Sequence, residues 1–373
     1  AYVQTGRASS QLHVAPDWLA RFDAAFANAG RMRTTGTDVP RDAALAAAVA
    51  PLVAPASQDV SDRLAASPLR VDASAIRRDV ERAMYAKLFA MSSRALVVEL
   101  AAAQSTGLLQ GDTAEDRFDF FCACLKEPSF GRAVLSQYPV LARQATLAVH
   151  AWRDALLEFA DRLANDAQEI AQRVFGASCP GQLSRLRLSA GDSHRGGRSV
   201  IVAELDGGGR QIVYKPRSLR VDRCFADLVA WLAERGLSPV PRLPLFVAKP
   251  GYGWVEYIAA AACRRAGEVT EFYRRQGVNV ALLYFLNGTD LHSENIIAAG
   301  ADPVLIALEA LFHPTVAAPR GGKAHDATQR QIDVAARATG RLPVRAPRAT
   351  PESEWRDRSG MSGADAREIP FEL

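Results

Sequence analysis

The sequence contains few cysteines and few aromatic residues, and its charges nearly cancel. Five of the 373 residues are cysteine, and aromatic residues make up 8% of the chain. An odd cysteine count without regular spacing argues against a disulfide-stabilised secreted domain. A net charge of +4, from 45 basic and 41 acidic residues, is too small to indicate a nucleic-acid partner. We therefore expect a cytoplasmic protein with reduced thiols and no nucleic-acid partner.

A zinc site and a membrane span are also not expected. Cys122 and Cys124 lie two residues apart, without the second pair or nearby histidine that a zinc site needs. We interpret them as buried thiols on a helix. The apolar run at residues 44–57 contains Pro51 and Pro55, which should interrupt it well before it reaches the length of a membrane span.

The periodicity of apolar residues divides the chain into two parts. Residues 1–185 are predicted to be helical, with helix starts at Ser74 and Thr113. The spacing predicts an apolar seam on a later helix, formed by Val149, Trp152, Leu156, Phe159 and Leu163.

Alternating strand patterns begin near residue 199. Two of them flank the turn Asp206–Gly209 and predict a β-hairpin. The later segments predict a helix at 222–234, a strand in GYGWVEYI, a long helix in EVTEFYRRQGVNVALLYFL, and two short strands in NIIAAG and VLIALE. The order of these motifs is that of a kinase-like nucleotide site. A glycine-rich turn comes first, then a strand that ends in lysine, and then an Asp-x-His-x-x-Asn loop before a small hairpin.

Lys215 ends the strand IVYK, where alternation places it on one face with Val213. A lysine on an otherwise apolar strand either has an anionic partner or extends to water. A nucleotide phosphate would be such a partner, with an acid of the next helix, Asp222, Asp227 or Glu234, holding the amine. A strand-end lysine reaching solvent is the alternative.

Asp290, His292 and Asn295 follow directly after the long apolar helix. Phosphoryl transfer needs a carboxylate that orients or deprotonates the attacking hydroxyl, which suits Asp290. It also needs oxygen ligands for Mg²⁺, which suits Asn295. His292 would donate to a phosphate oxygen or brace the loop. A polar turn that only ends the helix is the alternative interpretation.

A glycine-rich segment precedes the hairpin. Asp192 and His194 come before Gly196, Gly197 and Arg198. Glycines allow the backbone to approach phosphate closely, and backbone N–H groups can bind it. An ordinary entry into a hairpin would have a similar composition, so this segment indicates a phosphate site only weakly.

Taken together, these motifs resemble the dehydratase domain of class II lanthipeptide synthetases, the LanM type. The resemblance covers about residues 95–345. The motifs that carry it, in order, are GDTAEDRF, YPVLARQ, GDSHRGGRSV, VYKPRSLRVD, YGWVEYI, FYRRQG, LLYFLNGTDLHSENIIAAG and PVLIALEALFHP.

The resemblance implies an α+β fold in three parts: a helical scaffold and activation region at 1–185, then a lipid-kinase-like core with a small antiparallel sheet. The core would have an N-lobe at 186–258 and a truncated C-lobe at 259–373. The family phosphorylates Ser and Thr of a leader-bearing precursor peptide with ATP and Mg²⁺. It then eliminates the phosphate to leave dehydroalanine or dehydrobutyrine. Zinc belongs to a cyclase domain absent from this chain, which we expect to be a fragment of a longer protein.

The resemblance also assigns roles by position. Lys215 would hold ATP phosphates, and Asp290 and His292 would form the catalytic loop. Asn295 and Glu309 would bind Mg²⁺. Asp192 and His194 match a pair implicated in handling the phosphorylated residue, and Gly196, Gly197 and Arg198 belong to the same cofactor-binding segment.

Two residues depart from the family pattern. Ala307 stands where the family has a metal-binding aspartate, and Ala310 stands where it has threonine. Losing a metal carboxylate should cost several kcal/mol in the transition state and therefore orders of magnitude in rate. On a strand, Glu309 would lie on the same face as residue 307, and it would then be a partial substitute for the missing aspartate.

Three functions therefore compete: a dehydratase impaired by Ala307, a kinase-shaped pseudoenzyme that binds peptide or nucleotide without turnover, and an unrelated small-molecule phosphotransferase. The family motifs in the helical part argue against the third.

Overall fold

The structure is a computed structural model that describes residues 16–29, 41–188, 195–289 and 293–312. The chain divides into two compact units. The first comprises Ala1–Ala171 with Ala177–Gln211, and the second comprises Gln172–Gly176 with Ile212–Leu373.

The first unit is mainly helical, as predicted. A 3₁₀ segment, Arg41–Val49, leads directly into the second helix. The α-helices are α1 (Asp17–Ala29), α2 (Ala50–Ala65), α3 (Ala73–Ser105), α4 (Ala114–Lys126), α5 (Pro128–Gln137) and α6 (Pro139–Arg173).

Side chains at their first turns determine where two of these helices begin. Thr113 caps α4 as predicted: its hydroxyl accepts a hydrogen bond from the Asp116 N–H, and the Asp116 carboxylate accepts one from the Thr113 N–H. The predicted cap of α3 was wrong by two residues. Asp72, not Ser74, is the N-cap, because its carboxylate accepts from the Ala75 N–H at 3.0 Å.

The core of the first unit includes the predicted seam of α6. Val149, Trp152, Leu156, Phe159 and Leu163 are all buried, which confirms the helical spacing of the pattern. Cys122 is also buried, on α4, and burial raises the pKa of its thiol to about 11. All five cysteines are free.

The apolar run around Pro51 and Pro55 is continuous helix, which corrects the predicted interruption. Pro51 lies in the first turn of α2, where no N–H is required, and Pro55 lies inside the helix. Among the described helices, the stretch Ala43–Ala65 is long and apolar enough to cross a membrane, but 67% of its apolar 18-residue window is buried, as in the core helix of a globular domain.

Three complete strands lie in the described residues of the first unit. They are β1 (Arg70–Val71), β2 (Gln182–Arg187) and β3 (Ile201–Leu205). The short β1 pairs parallel to β2, and β2 pairs antiparallel to β3. The sheet is therefore mixed, not purely antiparallel as predicted.

The described part of the second unit contains the remaining strands and two α-helices. Its elements are β4 (Arg210–Lys215, whose first two residues belong to the first unit), α7 (Arg220–Ala233), β5 (Phe246–Lys249), β6 (Tyr252–Glu256), α8 (Ala266–Phe285), β7 (Ile296–Ala299) and β8 (Asp302–Leu305). Strand β6 pairs antiparallel with β4 and β5, and β7 pairs antiparallel with β8. Each element overlaps a predicted one except β5, which the sequence analysis did not identify. Strand β8 shares only Val304 and Leu305 with the predicted strand VLIALE.

A hydrophobic cluster lies beneath the candidate site in this unit. It includes Phe225 and Val229 of α7, Leu282 and Leu283 of α8, and Leu305 at the end of β8. Leu308 and Leu311 extend the cluster into the segment after β8. This packing fixes the backbone of residues 306–311 against two helices. The α+β class is confirmed, whereas the lipid-kinase-like core and its lobe boundaries stay predictions.

Candidate functional site

Lys215, the last residue of β4, is buried. Its exposed fraction is 8%, and it lies opposite Gly253 of β6. The alternative of a strand-end lysine reaching solvent is therefore wrong. The amine instead donates a hydrogen bond to the backbone carbonyl of Ile306. A buried ammonium that is hydrogen-bonded to a neutral carbonyl retains much of its need for an anionic partner.

Burial is also the main cause that lowers the pKa of Lys215 below its usual 10.5. The nearby guanidinium of Arg217 lowers it further. The carboxylates of Asp222 and Glu309 act in the opposite direction and raise it. The Lys215 amine thus lies within electrostatic reach of one other cation and two acids.

Asn295 and Lys215 are connected through the single residue Ile306. Asn295 ends a 3₁₀ turn, Ser293–Asn295, and its backbone carbonyl accepts a hydrogen bond from the Ile306 N–H at 3.0 Å. The Ile306 carbonyl accepts from Lys215. The strand that carries the lysine and the turn that carries the predicted Mg²⁺ ligand therefore meet at the segment after β8.

The predicted catalytic residues Asp290 and His292 lie outside the described residues. Their neighbour Thr289, however, donates its N–H to the Ala310 carbonyl at 3.1 Å. Thr289 and Asn295 are thus both tied to the segment 306–310.

Glu309 is exposed and paired with Arg217. Its Oε2 lies 2.7 Å from Nη2 of Arg217, and its side chain is 55% exposed. The predicted strand-face relation between Glu309 and Ala307 is wrong, because β8 ends at Leu305 and residues 306–309 are not in a strand. The alternation of side chains along a strand therefore does not place Glu309 on the same face as position 307, and it does not support Glu309 as a substitute for an aspartate there.

Asp222 of α7 is the acid that lies near the lysine. It accepts from Nη1 of Arg217 at 2.8 Å, and its side chain is only 12% exposed. The other two acids considered are exposed: Asp227 lies on α7, and Glu234 is the C-cap residue that follows it. Arg217 therefore joins Asp222 to Glu309. Sequence reasoning missed Arg217, although its place two residues after Lys215 in VYKPR was a visible signal.

The glycine-rich segment belongs to the first unit. Gly196 and Gly197 have φ values of +73° and +76°, which L-residues with side chains rarely adopt. A Cβ on Gly197 would lie 2.9 Å from the Ala151 carbonyl carbon of α6. Arg198 donates two hydrogen bonds to Oε2 of Glu158 on the same helix, at 2.6 and 2.9 Å. Asp192 and His194 lie outside the described residues.

The described residues around Ile306 fit a phosphate group but do not fit a complete Mg²⁺ site. The buried cation at position 215 suits phosphate. Across the described ranges, no group of three or more His, Cys, Asp or Glu side chains that could hold a metal is present. The side chain of Ala307 offers no oxygen, and the Glu309 carboxylate is already bound by Arg217.

Comparisons with known proteins define the class. Residues 138–373 match the family model described as "Domain of unknown function (DUF4135)". This match covers more than half of the chain, and the chain belongs to that family.

The chain is also similar to the lacticin 481/lactococcin biosynthesis protein LcnDR2 of Lactococcus lactis subsp. lactis, a LanM-type synthetase. The two are 26% identical over a region that covers 67% of this chain and 28% of LcnDR2. The resemblance to LanM-type synthetases that the motifs indicated is therefore confirmed, with the chain spanning about a quarter of that relative's length.

Proposed function

We propose that this chain is the dehydratase portion of a lanthipeptide synthetase, acting on Ser and Thr of a leader-bearing precursor peptide. Similarity to a lantibiotic biosynthesis protein supports a role in that pathway. The observation that carries the chemical proposal is the buried amine of Lys215 beside the segment that also holds Asn295.

In the proposed phosphorylation step, Lys215 binds the phosphate chain of ATP. Asp290 accepts the proton of the substrate hydroxyl while that oxygen bonds to the γ-phosphorus, and the bond from phosphorus to ADP breaks. His292 braces the loop or donates to a phosphate oxygen. The products are ADP and a phosphorylated Ser or Thr.

In the proposed elimination step, a base removes the α-proton of the phosphorylated residue. The electrons of that bond form the Cα–Cβ double bond, and the Cβ–O bond breaks to release inorganic phosphate. Asp192 and His194 are the residues that we assign to this step. The product is dehydroalanine from Ser or dehydrobutyrine from Thr.

Mg²⁺ is part of this proposal, with Asn295 as one ligand, but the described residues supply an incomplete site. Position 307 lacks the carboxylate that kinase-like sites use to hold the metal. We therefore propose that phosphorylation by this chain is slow.

A kinase-shaped pseudoenzyme is the second candidate. The pairing of Glu309 with Arg217 favours it, because the one carboxylate near position 307 in the described segment is already bound by a guanidinium. Such a protein would bind peptide or nucleotide through Lys215 without turnover.

A time course with mass spectrometry distinguishes the two candidates. The Ala307→Asp chain is incubated with ATP, Mg²⁺ and a Ser- and Thr-rich precursor that bears a leader. The dehydratase proposal predicts that phosphopeptide forms first and dehydrated peptide later. Neither product should form when the same chain also carries Lys215→Met. A leaderless peptide of the same core sequence is the control and should react more slowly. Nucleotide binding without any phosphopeptide would support the pseudoenzyme.

A further inference from the structure

The Arg217 guanidinium and the Lys215 amine form a pair of cations at the end of β4. Lys215 is buried, and the Arg217 side chain is 21% exposed. Lys215 donates to the Ile306 carbonyl and Arg217 donates to the Glu309 carboxylate, so both cations lie against the same short segment, 306–309. Two like charges this close favour an anion between them or beside them.

Two carboxylates neutralise this pair, and they differ in how firmly they are held. Asp222 faces Arg217 with both oxygens, at 2.8 and 3.5 Å, and is only 12% exposed. Glu309 accepts from Nη2 of Arg217 with one oxygen, at 2.7 Å, and is 55% exposed. Asp222 is thus a fixed partner that orients the guanidinium, whereas Glu309 is the partner that can leave.

An exposed ion pair of the second kind contributes little free energy, about 0–1 kcal/mol. A phosphate chain carries several negative charges and can accept two parallel hydrogen bonds from a guanidinium. It should therefore displace a single exposed carboxylate while the better-buried Asp222 stays in place.

We propose that Glu309 is an internal competitor for a phosphate-binding cation pair formed by Lys215 and Arg217, and not a metal ligand. The ligand class is a linear polyphosphate, such as the triphosphate of a nucleotide. In the absence of a polyphosphate, the Glu309 carboxylate occupies the position where the polyphosphate would bind. This inference rests on the proposed function, in which Lys215 binds the phosphates of ATP. It concerns the binding of the phosphates and not the transfer of phosphate to a peptide.

The two roles of Glu309 predict opposite effects of the same substitution. If Glu309 competes with phosphate, Glu309→Gln removes a repelling charge and strengthens polyphosphate binding without any metal. If Glu309 binds Mg²⁺, the substitution weakens binding when the metal is present and has no effect when it is chelated.

Isothermal titration calorimetry with the full chain, in low salt and EDTA, tests this proposal. The probes are ATP and inorganic tripolyphosphate. We expect Glu309→Gln to tighten both by about threefold to tenfold, the effect of one charge in a partly screened site. Arg217→Gln should weaken both by about tenfold or more, because a charge-assisted bidentate partner is lost. Using both probes separates recognition of the phosphates from recognition of the nucleoside.

The matched control is Glu271→Gln. Glu271 is an acid of the second unit, paired with Arg274 on the exposed side of α8. The Glu271→Gln substitution changes the net charge by the same amount as Glu309→Gln. The affinity of this variant for both probes should equal that of the unmodified chain. Circular dichroism confirms folding of each variant.

The proposal is overturned if Glu309→Gln weakens or leaves unchanged the metal-free affinity, or if the control tightens binding equally. An effect on ATP without an effect on tripolyphosphate also overturns it, because the competition concerns phosphate. Loss of phosphopeptide formation alone would count against the proposed function and leave this binding result intact.

Discussion

The amine of Lys215 donates its hydrogen bond to the backbone carbonyl of Ile306, a residue 91 positions further along the chain. The N–H of the same Ile306 donates to the carbonyl of Asn295. One residue without a reactive side chain therefore connects the predicted phosphate lysine to the predicted metal turn. The hydrophobic cluster of Leu305, Leu308 and Leu311 holds that connecting segment in place.

The buried Lys215 should make stability depend on pH. Its folded-state pKa is lowered, mainly by burial, from an unfolded value of 10.5. Between those two values the unfolded chain binds the proton and the folded chain does not, so stability rises with pH there. The free energy of unfolding of the unmodified chain, relative to Lys215→Met, should increase as the pH rises from the folded-state pKa of Lys215 towards 10.5.

Urea unfolding of both proteins at several pH values measures this difference. Other groups titrate equally in the two chains, so their contributions cancel. A difference that stays constant or decreases as the pH rises would show that Lys215 keeps its ordinary pKa in the folded state.

Gly197 should tolerate alanine less well than Gly207. Both have positive φ, +76° and +70°, so both substitutions strain the backbone by about 1 kcal/mol or more. Only at Gly197 would the new Cβ meet α6 backbone, at 2.9–3.0 Å, whereas Gly207 faces open space. We expect Gly197→Ala to lower the urea midpoint clearly more than Gly207→Ala, and equal losses would exclude the packing role.

Asp79 should matter more to stability than its partner Arg185. Its carboxylate accepts from Arg185 at 2.9 Å and also from the backbone N–H of Leu186 at 2.9 Å. Asp79→Ala leaves that buried N–H without its partner, which costs about 1–3 kcal/mol. Arg185 is 53% exposed, so Arg185→Ala should cost less.

Asp79→Asn is the control for this pair, because its amide oxygen can still accept from Leu186. Chemical unfolding should rank the variants with Asp79→Ala as the least stable. If Arg185→Ala destabilises the protein as much, the ion pair and not the backbone hydrogen bond is the important contact.

The sequence predicted most elements because their signals are local. Thr113 followed by Asp116 satisfies two orphan N–H groups within one turn, and the α6 seam repeats at helical spacing. The cap of α3 was misplaced because Asp72 and Ser74 are both good caps by residue type. Only the hydrogen bond to Ala75 separates them.

The site was predicted less completely because its contacts are long-range. Nothing in the sequence shows that Arg217 bridges Asp222 and Glu309, because Glu309 lies 92 residues further along the chain than Arg217. The argument from strand alternation for Glu309 failed because β8 ends two residues before Ala307. Gly197 was interpreted through phosphate binding, and a close approach to α6 accounts for its missing side chain equally well.

We propose that phosphorylation by this chain is limited by the carboxylate that is missing at position 307. The most direct test measures the initial rate of phosphopeptide formation, with ATP, Mg²⁺ and a leader-bearing precursor, for the unmodified chain, Ala307→Asp and Ala310→Thr. The last variant restores the other family residue without adding a carboxylate. We expect Ala307→Asp to raise the rate by about 100-fold or more, with Ala310→Thr near the unmodified rate. Rapid phosphorylation by the unmodified chain, or an inert Ala307→Asp variant, would contradict the account.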